Sequence, residues 1–181
     1  MADNPWDNSG TKCTMFRIIN FAEDGTIRVA KAQVDGVMDK AQIVTYLQDM
    51  QPVYEPADPT VDPLFIEAKG YCRLVFAFDK SKPNCLFHGT WPFALKYRGS
   101  GLDACIEFDG LTKISRGDMG HTENPCAISA FFIDDRNSVK DPNLIPYNLY
   151  VQFSQDASNA DAYRTGVTID PDMGNDGTGG G

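Results

Sequence analysis

Histidine is scarce in this chain of 181 residues, which contains only His88 and His121. Because imidazole is the usual acid or base near neutral pH, two histidines leave few ways to build such catalysis. The nucleophile-elbow pattern Gly-x-Ser-x-Gly is missing, and no glycine-rich phosphate loop of the Walker or dinucleotide type is present. We therefore expect a protein that is not an enzyme and that needs no cofactor.

Closely spaced cysteine pairs are also missing. The five cysteines are Cys13, Cys72, Cys85, Cys105 and Cys126. An odd number without a Cys-x-x-Cys pair disfavours both a disulfide framework and a structural zinc site. We expect reduced thiols, with Cys72, Cys105 and Cys126 acting as small buried hydrophobic residues within apolar runs.

Positive charge is in short supply, with 16 Lys and Arg against 25 Asp and Glu and a net charge of −9. Nucleic-acid binding needs clustered cations, so nucleic acid is not expected as a partner. No apolar run approaches the roughly 18 residues of a membrane span, and residues 1–10 lack a signal-peptide pattern. The expectation is no membrane insertion and a cytoplasmic location, with non-classical export as an alternative.

Short apolar runs separated by turn residues fill most of the chain beyond residue 12. The predicted strands are residues 15–21, 26–34, 64–69, 71–78, 85–88, 91–97, 104–108, 111–114, 126–133, 147–153 and 163–169. Asp24-Gly25 between the first two runs predicts a hairpin, because glycine tolerates the positive φ of tight turns. This pattern is typical of an all-β fold, here an antiparallel β-sandwich of jelly-roll-like form. We predict one sandwich domain over residues 13–170, a flexible N-terminal lead over 1–12 and a flexible glycine-rich C-terminal tail over 171–181.

One segment has helical periodicity. Asp39 and Gln42 have the spacing of a capping pair, and Pro52 ends the pattern. The apolar residues at helical spacing between them are Ile43, Val44, Leu47 and Met50. A single peripheral helix over residues 38–50 is therefore predicted, with its apolar face toward the core.

Loop residues supply the candidate binding groups. Aromatic, acidic and amide side chains on exposed loops are the groups with which β-sandwich proteins commonly hold sugars. The candidates are Trp91, Tyr97, Asp118, His121, Glu123, Asn124, Asp135 and Asn137. Packing of Trp91 and Tyr97 into the core is the competing interpretation.

Catalytic and metal-binding alternatives rest on weaker patterns. His121 and Cys126 are the nearest approach to a nucleophilic pair, although such residues usually come from distant segments. Neighbouring carboxylates such as Asp134 and Asp135 could serve a glycosidase only if they faced a cleft. The tail over residues 169–177 is rich in oxygen ligands but fails the EF-hand pattern, so no metal site is predicted.

Residues 168–177, Thr-Ile-Asp-Pro-Asp-Met-Gly-Asn-Asp-Gly, resemble the ending of small bacterial proteins of the AidA and PixA inclusion-body type. The similarity covers only the last predicted strand and the tail. It implies a compact jelly-roll-like β-sandwich without an established catalytic site. It also implies an accessory role in bacteria, sometimes with lectin-like activity or accumulation in inclusions, and it assigns a function to no individual residue.

These observations predict a non-enzymatic bacterial accessory protein that assembles with itself or binds a ligand. A carbohydrate-binding, lectin-like module is the first alternative, and a small hydrolase is the second. The expected partners are a second copy of the chain, joined through an exposed strand edge, or a glycan.

Overall fold

The computed structural model describes residues 12–56, 58, 60–68, 70–95, 108–136, 143–154 and 164–175. Within these ranges the chain is mostly β-strand, with eleven strands and one helix, which confirms the predicted β-rich fold with a single helix. The strands are β1 (Cys13–Phe21), β2 (Ile27–Asp35), β3 (Ile66–Ala68), β4 (Cys72–Phe78), β5 (Cys85–Phe87), β6 (Phe93–Leu95), β7 (Phe108–Ser115), β8 (Ile128–Asp135), β9 (Asn143–Ser154), β10 (Arg164–Ile169) and β11 (Asp172–Asn175), and the helix is α1 (Lys40–Asp49).

The strands form one curled sheet in the order β2-β1-β4-β8-β5-β9-β11-β3. Strand β7 pairs with β8, and both β6 and β10 pair with β9. Most pairs are antiparallel, but β1 is parallel to β4 and β11 is parallel to β3. The sheet is therefore mixed rather than antiparallel as predicted. Strand β4 lies parallel to β1 because the chain crosses over through β2, α1 and β3 before it returns.

The first two strands form the predicted hairpin. Phe21 pairs with Ile27, and the Asp24 side chain accepts a hydrogen bond from the Thr26 amide at 2.9 Å. Gly25 has φ +81°, a conformation that residues with a side chain rarely adopt. The Asp-Gly signal in the sequence therefore predicted this turn correctly.

Helix α1 begins at the predicted capping pair. The Asp39 side chain accepts from the Gln42 amide at 2.9 Å, and the Gln42 side chain accepts from the Asp39 amide at the same distance. Ile43 and Leu47 are buried beneath the helix. The predicted helix and its core-facing side are confirmed.

Two predicted boundaries differ from the structure. Asp109-Gly110 separates the predicted strands 104–108 and 111–114, but both residues lie inside the continuous strand β7, where the register with β8 shifts between Asp109 and Thr112. A bulge absorbs the turn-forming residues without ending the strand. Residues 172–175, assigned to the tail from the sequence, form β11 between β9 and β3. Residues 1–11, 104–107 and 176–181 lie outside the described ranges.

Two apolar layers cover the sheet. The larger, inner layer includes Ile19, Leu74, Phe76, Phe87, Phe131, Tyr147 and Leu149. The outer layer lies under α1 and includes Phe16, Ile18, Ile43, Leu47, Val75, Ile114 and Phe132. Val75 and Phe76 are adjacent in β4 and both fully buried, one in each layer. The central strands are therefore covered on both faces, as their nearly continuous apolar sequences require.

The described cysteines follow the sequence expectation only in part. Cys13, Cys72 and Cys85 are buried, and none of the described cysteines is in a disulfide. Burial is thereby confirmed for Cys72, whereas Cys126 is exposed and its predicted burial is wrong. Cys105 lies outside the described residues. No helix within the described ranges is long and apolar enough to cross a bilayer.

The capping pair predicts a measurable difference between two aspartates of the helix. Asp39→Ala should lower the free energy of unfolding by about 1 kcal/mol, because the Gln42 amide loses its acceptor. Asp49→Ala, at the last residue of α1, is the matched control and should change it by less than about 0.5 kcal/mol. Urea unfolding measures both, and equal effects would contradict a capping role for Asp39.

Candidate functional site

Trp91 stands on an open surface concavity. Two thirds of its surface (66%) is solvent-exposed, so the competing interpretation that it packs into the core is wrong. The concavity has a volume of about 380 Å³ and is lined by His88, Trp91, Ala94 and Tyr150. We call it the Trp91 surface. Its lining combines two aromatic rings and an imidazole, side chains that each have an apolar face and a polar edge.

Strands β5 and β6 both pair with β9, and their connection forms the wall of the Trp91 surface. The His88 amide donates to the Tyr150 carbonyl at 2.9 Å, and the Tyr150 amide donates to the Pro92 carbonyl at 3.0 Å. The Lys113 ammonium donates to the Gly89 carbonyl at 2.6 Å, which ties the connection to β7. Trp91 is therefore presented on backbone that is hydrogen-bonded to two strands.

The imidazole of His88 is oriented by the turn that follows it. Its Nδ1 accepts from the Trp91 amide at 3.0 Å and from the Thr90 amide at 3.3 Å. In a neutral ring this pattern assigns the proton to Nε2, because Nδ1 is the acceptor. The Nε2 hydrogen is then available to donate to a ligand.

Asn148 adds a second polar group beside the aromatic rings. It pairs in register with Ala94, and its Nδ2 donates to the Tyr150 hydroxyl at 3.4 Å. The Asn148 Oδ1 is buried and has no hydrogen-bond partner among the described residues. A buried acceptor in that state costs free energy until a donor reaches it.

His121 lines a different and much smaller cleft of about 60 Å³. This His121 cleft lies between the end of α1, the turn from β4 to β5 and the loop from β7 to β8, and Asp79 and Cys85 also line it. Ligand pockets in proteins usually enclose about 300 to 1,000 Å³. The cleft brings an imidazole, a carboxylate and a thiol to one place, but it offers little room for a substrate.

Burial and hydrogen bonding shift the pKa values of the acidic and thiol groups of the His121 cleft. Burial raises the pKa of Cys85 to about 11, so its thiol stays protonated at neutral pH. Burial also acts to raise the pKa of Asp79, but hydrogen bonds from the Tyr54 hydroxyl and the Ser81 amide outweigh it and lower the pKa. Burial, together with the hydrogen bond to Asp79, raises the pKa of Tyr54 above its usual range. The Tyr54 and Ser81 contacts tie the Asp79 carboxylate to the surrounding fold.

Three further candidates shape the loop from β7 to β8. Asp118 accepts from the Ser115 amide at 2.8 Å and forms an ion pair with Lys40 at 2.9 Å, and the hydrogen bond from Lys40 is the main cause of its lowered pKa. The Glu123 carbonyl accepts from Arg116 Nε at 3.0 Å. Asn124 adopts a left-handed φ of 49°. Their described contacts stabilise the loop, and none of the three lines the Trp91 surface.

Asp135 does not contribute to the Trp91 surface. It was predicted on an exposed loop, but it lies in β8 and is fully buried. Tyr97 and Asn137 lie outside the described residues. Of the six candidates that the structure describes, Trp91 alone lines the concavity.

Sequence reasoning missed His88, Asn148 and Tyr150 as companions of Trp91. The available signal was the alternation along β9, where Tyr147, Leu149 and Val151 are buried and the residues between them are less so. Within the described part of the chain, no group of three or more His, Cys, Asp or Glu side chains could hold a metal ion.

Searches of the chain against models of known protein families and against curated proteins return no match. The function is therefore inferred from the geometry of the residues themselves.

The buried state of Cys85 predicts its chemical reactivity. In the native protein near neutral pH, iodoacetamide should modify the exposed Cys126 at least about a hundredfold faster than Cys85, because Cys85 is buried and its pKa is raised to about 11. Peptide mapping by mass spectrometry gives both rates, and unfolding in urea should abolish the difference. Equal rates in the native protein would reveal an accessible, reactive Cys85 and would favour the hydrolase interpretation.

Proposed function

We propose that this protein is a non-enzymatic binding protein that recognises a carbohydrate at the Trp91 surface. The observation that carries the proposal is the exposed Trp91 ring, with 66% of its surface in solvent, beside His88 and Tyr150. An exposed indole loses unfavourable contact with water when the apolar face of a sugar ring stacks on it. His88 Nε2 and the Tyr150 hydroxyl, on two of the residues that line the concavity, then hydrogen-bond the sugar hydroxyls.

A bacterial accessory role belongs to the same proposal. It rests on the resemblance of residues 168–177 to the ending of the AidA and PixA type of protein, in which lectin-like activity occurs. The raised pKa of Cys85 and the small His121 cleft give a hydrolase less support. Binding without catalysis is the interpretation that needs no activated group.

We also propose that the curled sheet closes toward a jelly-roll-like sandwich. Phe76 of β4 lies 5.8 Å from Tyr147 of β9, and Phe131 of β8 lies 6.2 Å from Phe93 of β6, measured between ring centroids. These contacts join strands that are not hydrogen-bonded to each other, as the contacts between the two layers of a sandwich do.

Self-assembly has less support than ligand binding. Strand β2 is an edge strand, and its exposed positions include Arg28, Lys31 and Asp35. Charged side chains on an edge oppose pairing with a second sheet. Assembly through β2 would show as a concentration-dependent change in size-exclusion elution.

Loss of sugar binding on removal of the indole tests the proposal. A glycan array first identifies a sugar that retains the protein. For variants that keep the Trp91 ring, Trp91 fluorescence in a Trp6→Phe background then measures the affinity for that sugar. For Trp91→Ala, which lacks the reporter, calorimetry replaces fluorescence. We expect an affinity loss of at least about tenfold, because the stacking platform is gone.

Val53→Ala is the matched control, since Val53 is 82% exposed and does not line the Trp91 surface. It should bind the sugar as the unmodified protein does. Tyr150→Phe removes a single hydroxyl and should cause a smaller loss than Trp91→Ala. The proposal would be contradicted if no sugar on the array retained the protein, or if the Trp91→Ala variant bound the sugar with full affinity.

A further inference from the structure

Arg17 is a buried cation on the inner face of β1. Only 6% of the Arg17 surface is exposed, and its Nη1 donates a hydrogen bond to the Phe16 carbonyl at 3.0 Å. Among the described residues, the buried Nε has no hydrogen-bond partner and no carboxylate forms an ion pair with the guanidinium. Burial lowers the pKa of Arg17, but guanidinium still stays protonated in proteins. Buried charges are normally paired, so this cation calls for an anion.

A second cation lies opposite Arg17 on the neighbouring strand. Lys31 of β2 is the register partner of Arg17, and residues directly opposite each other on paired strands share one face of the sheet. Like charges in this arrangement repel each other. No carboxylate within the described ranges pairs with Lys31. One anion between the two side chains would satisfy both.

Lys31 also lines an open groove of about 640 Å³. We call this the β2 groove; it runs between β2, the segment 55–64 and residues 169–171. Its apolar lining comprises Ile27, Val29, Val61, Pro63, Leu64 and Ile169. The Tyr147 hydroxyl donates to the Leu64 carbonyl at 2.8 Å, and Tyr147 also interacts electrostatically with Arg17. Arg17 does not itself line the groove; it is connected to two residues that do, to Lys31 as its register partner and to Leu64 through Tyr147.

Acidic residues at the β2 groove restrict the kind of anion that fits. Glu55, Asp58, Asp62 and Asp170 lie along it. Asp58 accepts hydrogen bonds from Thr60, and Asp62 accepts one from the Leu64 amide at 2.9 Å. Four carboxylates strongly repel a polyanion such as a nucleotide. The electrostatic penalty is much smaller for a molecule that has an apolar body and only one carboxylate.

We propose that the β2 groove binds a small amphipathic monocarboxylate, with its carboxylate between Arg17 and Lys31 and its hydrocarbon body along the apolar lining. A planar guanidinium matches a carboxylate in geometry and forms strong charge-assisted hydrogen bonds with it. The groove volume lies within the usual range for small-molecule sites.

Decanoate and 1-decanol are the matched probes, because they share a hydrocarbon chain and differ in the charged head. Calorimetric titration should show that decanoate binds at least about tenfold more tightly than 1-decanol. Arg17→Met, which keeps the length and removes the charge, should lose about tenfold or more of the decanoate affinity. Lys82→Met, which removes one charge away from the groove, should bind decanoate normally.

The melting temperature of the ligand-free variant separates a ligand site from a structural ion pair. Arg17→Met should melt at the same temperature as the unmodified protein or higher, because an unpaired buried charge is removed. If Arg17→Met does not fold, Lys31→Met replaces it, since Lys31 is exposed and its loss should weaken decanoate binding without unfolding the protein.

Three results would overturn the proposal. They are equal affinity for decanoate and 1-decanol, full decanoate affinity in Arg17→Met and Lys31→Met, or a lower melting temperature of ligand-free Arg17→Met. The last result would show that Arg17 stabilises the ligand-free fold through contacts of the chain itself. Trp91→Ala should leave decanoate binding unchanged, so this test is independent of the sugar site.

Discussion

Strands β1, β4 and β8 must bury side chains on both faces, and this requirement governs where a ligand can bind. The inner layer covers one face, and helix α1 covers the other. Both layers pack closely over these three strands. The two proposed sites lie away from them: the Trp91 surface against β9 and the β2 groove along an edge strand.

Two arginines in the central strands differ in how their charges are paired on the two faces of the sheet. On the outer face, Arg73 forms two hydrogen bonds to the Asp134 carboxylate, at 2.6 and 2.8 Å, and lies 4.6 Å from the Phe132 ring centroid. On the inner face, Arg17 has no such partner among the described residues. Arg73 is fully paired, whereas the Arg17 charge is not paired with a carboxylate among the described residues. Because an isolated buried charge is costly, Arg17 is the residue at which we propose that a ligand's anion binds.

Local features of the sequence predicted local structure well. Asp24-Gly25 specified a hairpin and Asp39 with Gln42 specified the start of α1, since both act within a few residues. The parallel pairing of β1 with β4 depends on a crossover through α1, which strand patterns do not encode. At Asp109-Gly110 the same residue types that make turns formed a bulge, because β8 continued to pair on both sides of it.

The binding residues were harder to predict than the fold. Trp91 was among the candidates, but its exposure depends on the β5 to β6 connection lying against β9, which is a contact between segments about 60 residues apart. Arg17 lies in an apolar run whose pattern predicted only a strand. Its burial depends on the inner layer, to which Tyr147 contributes from a distant part of the chain.

Residue-resolved amide hydrogen exchange tests the two-sided burial of the sheet centre most directly. The account predicts that the hydrogen-bonded amides of β1, β4 and β8 exchange slowest, at a rate set by global unfolding, while those of the edge strands β2 and β10 exchange faster through local opening. Amides in β1 that exchange as fast as those in β2 would contradict it, because a strand covered on both faces cannot open alone.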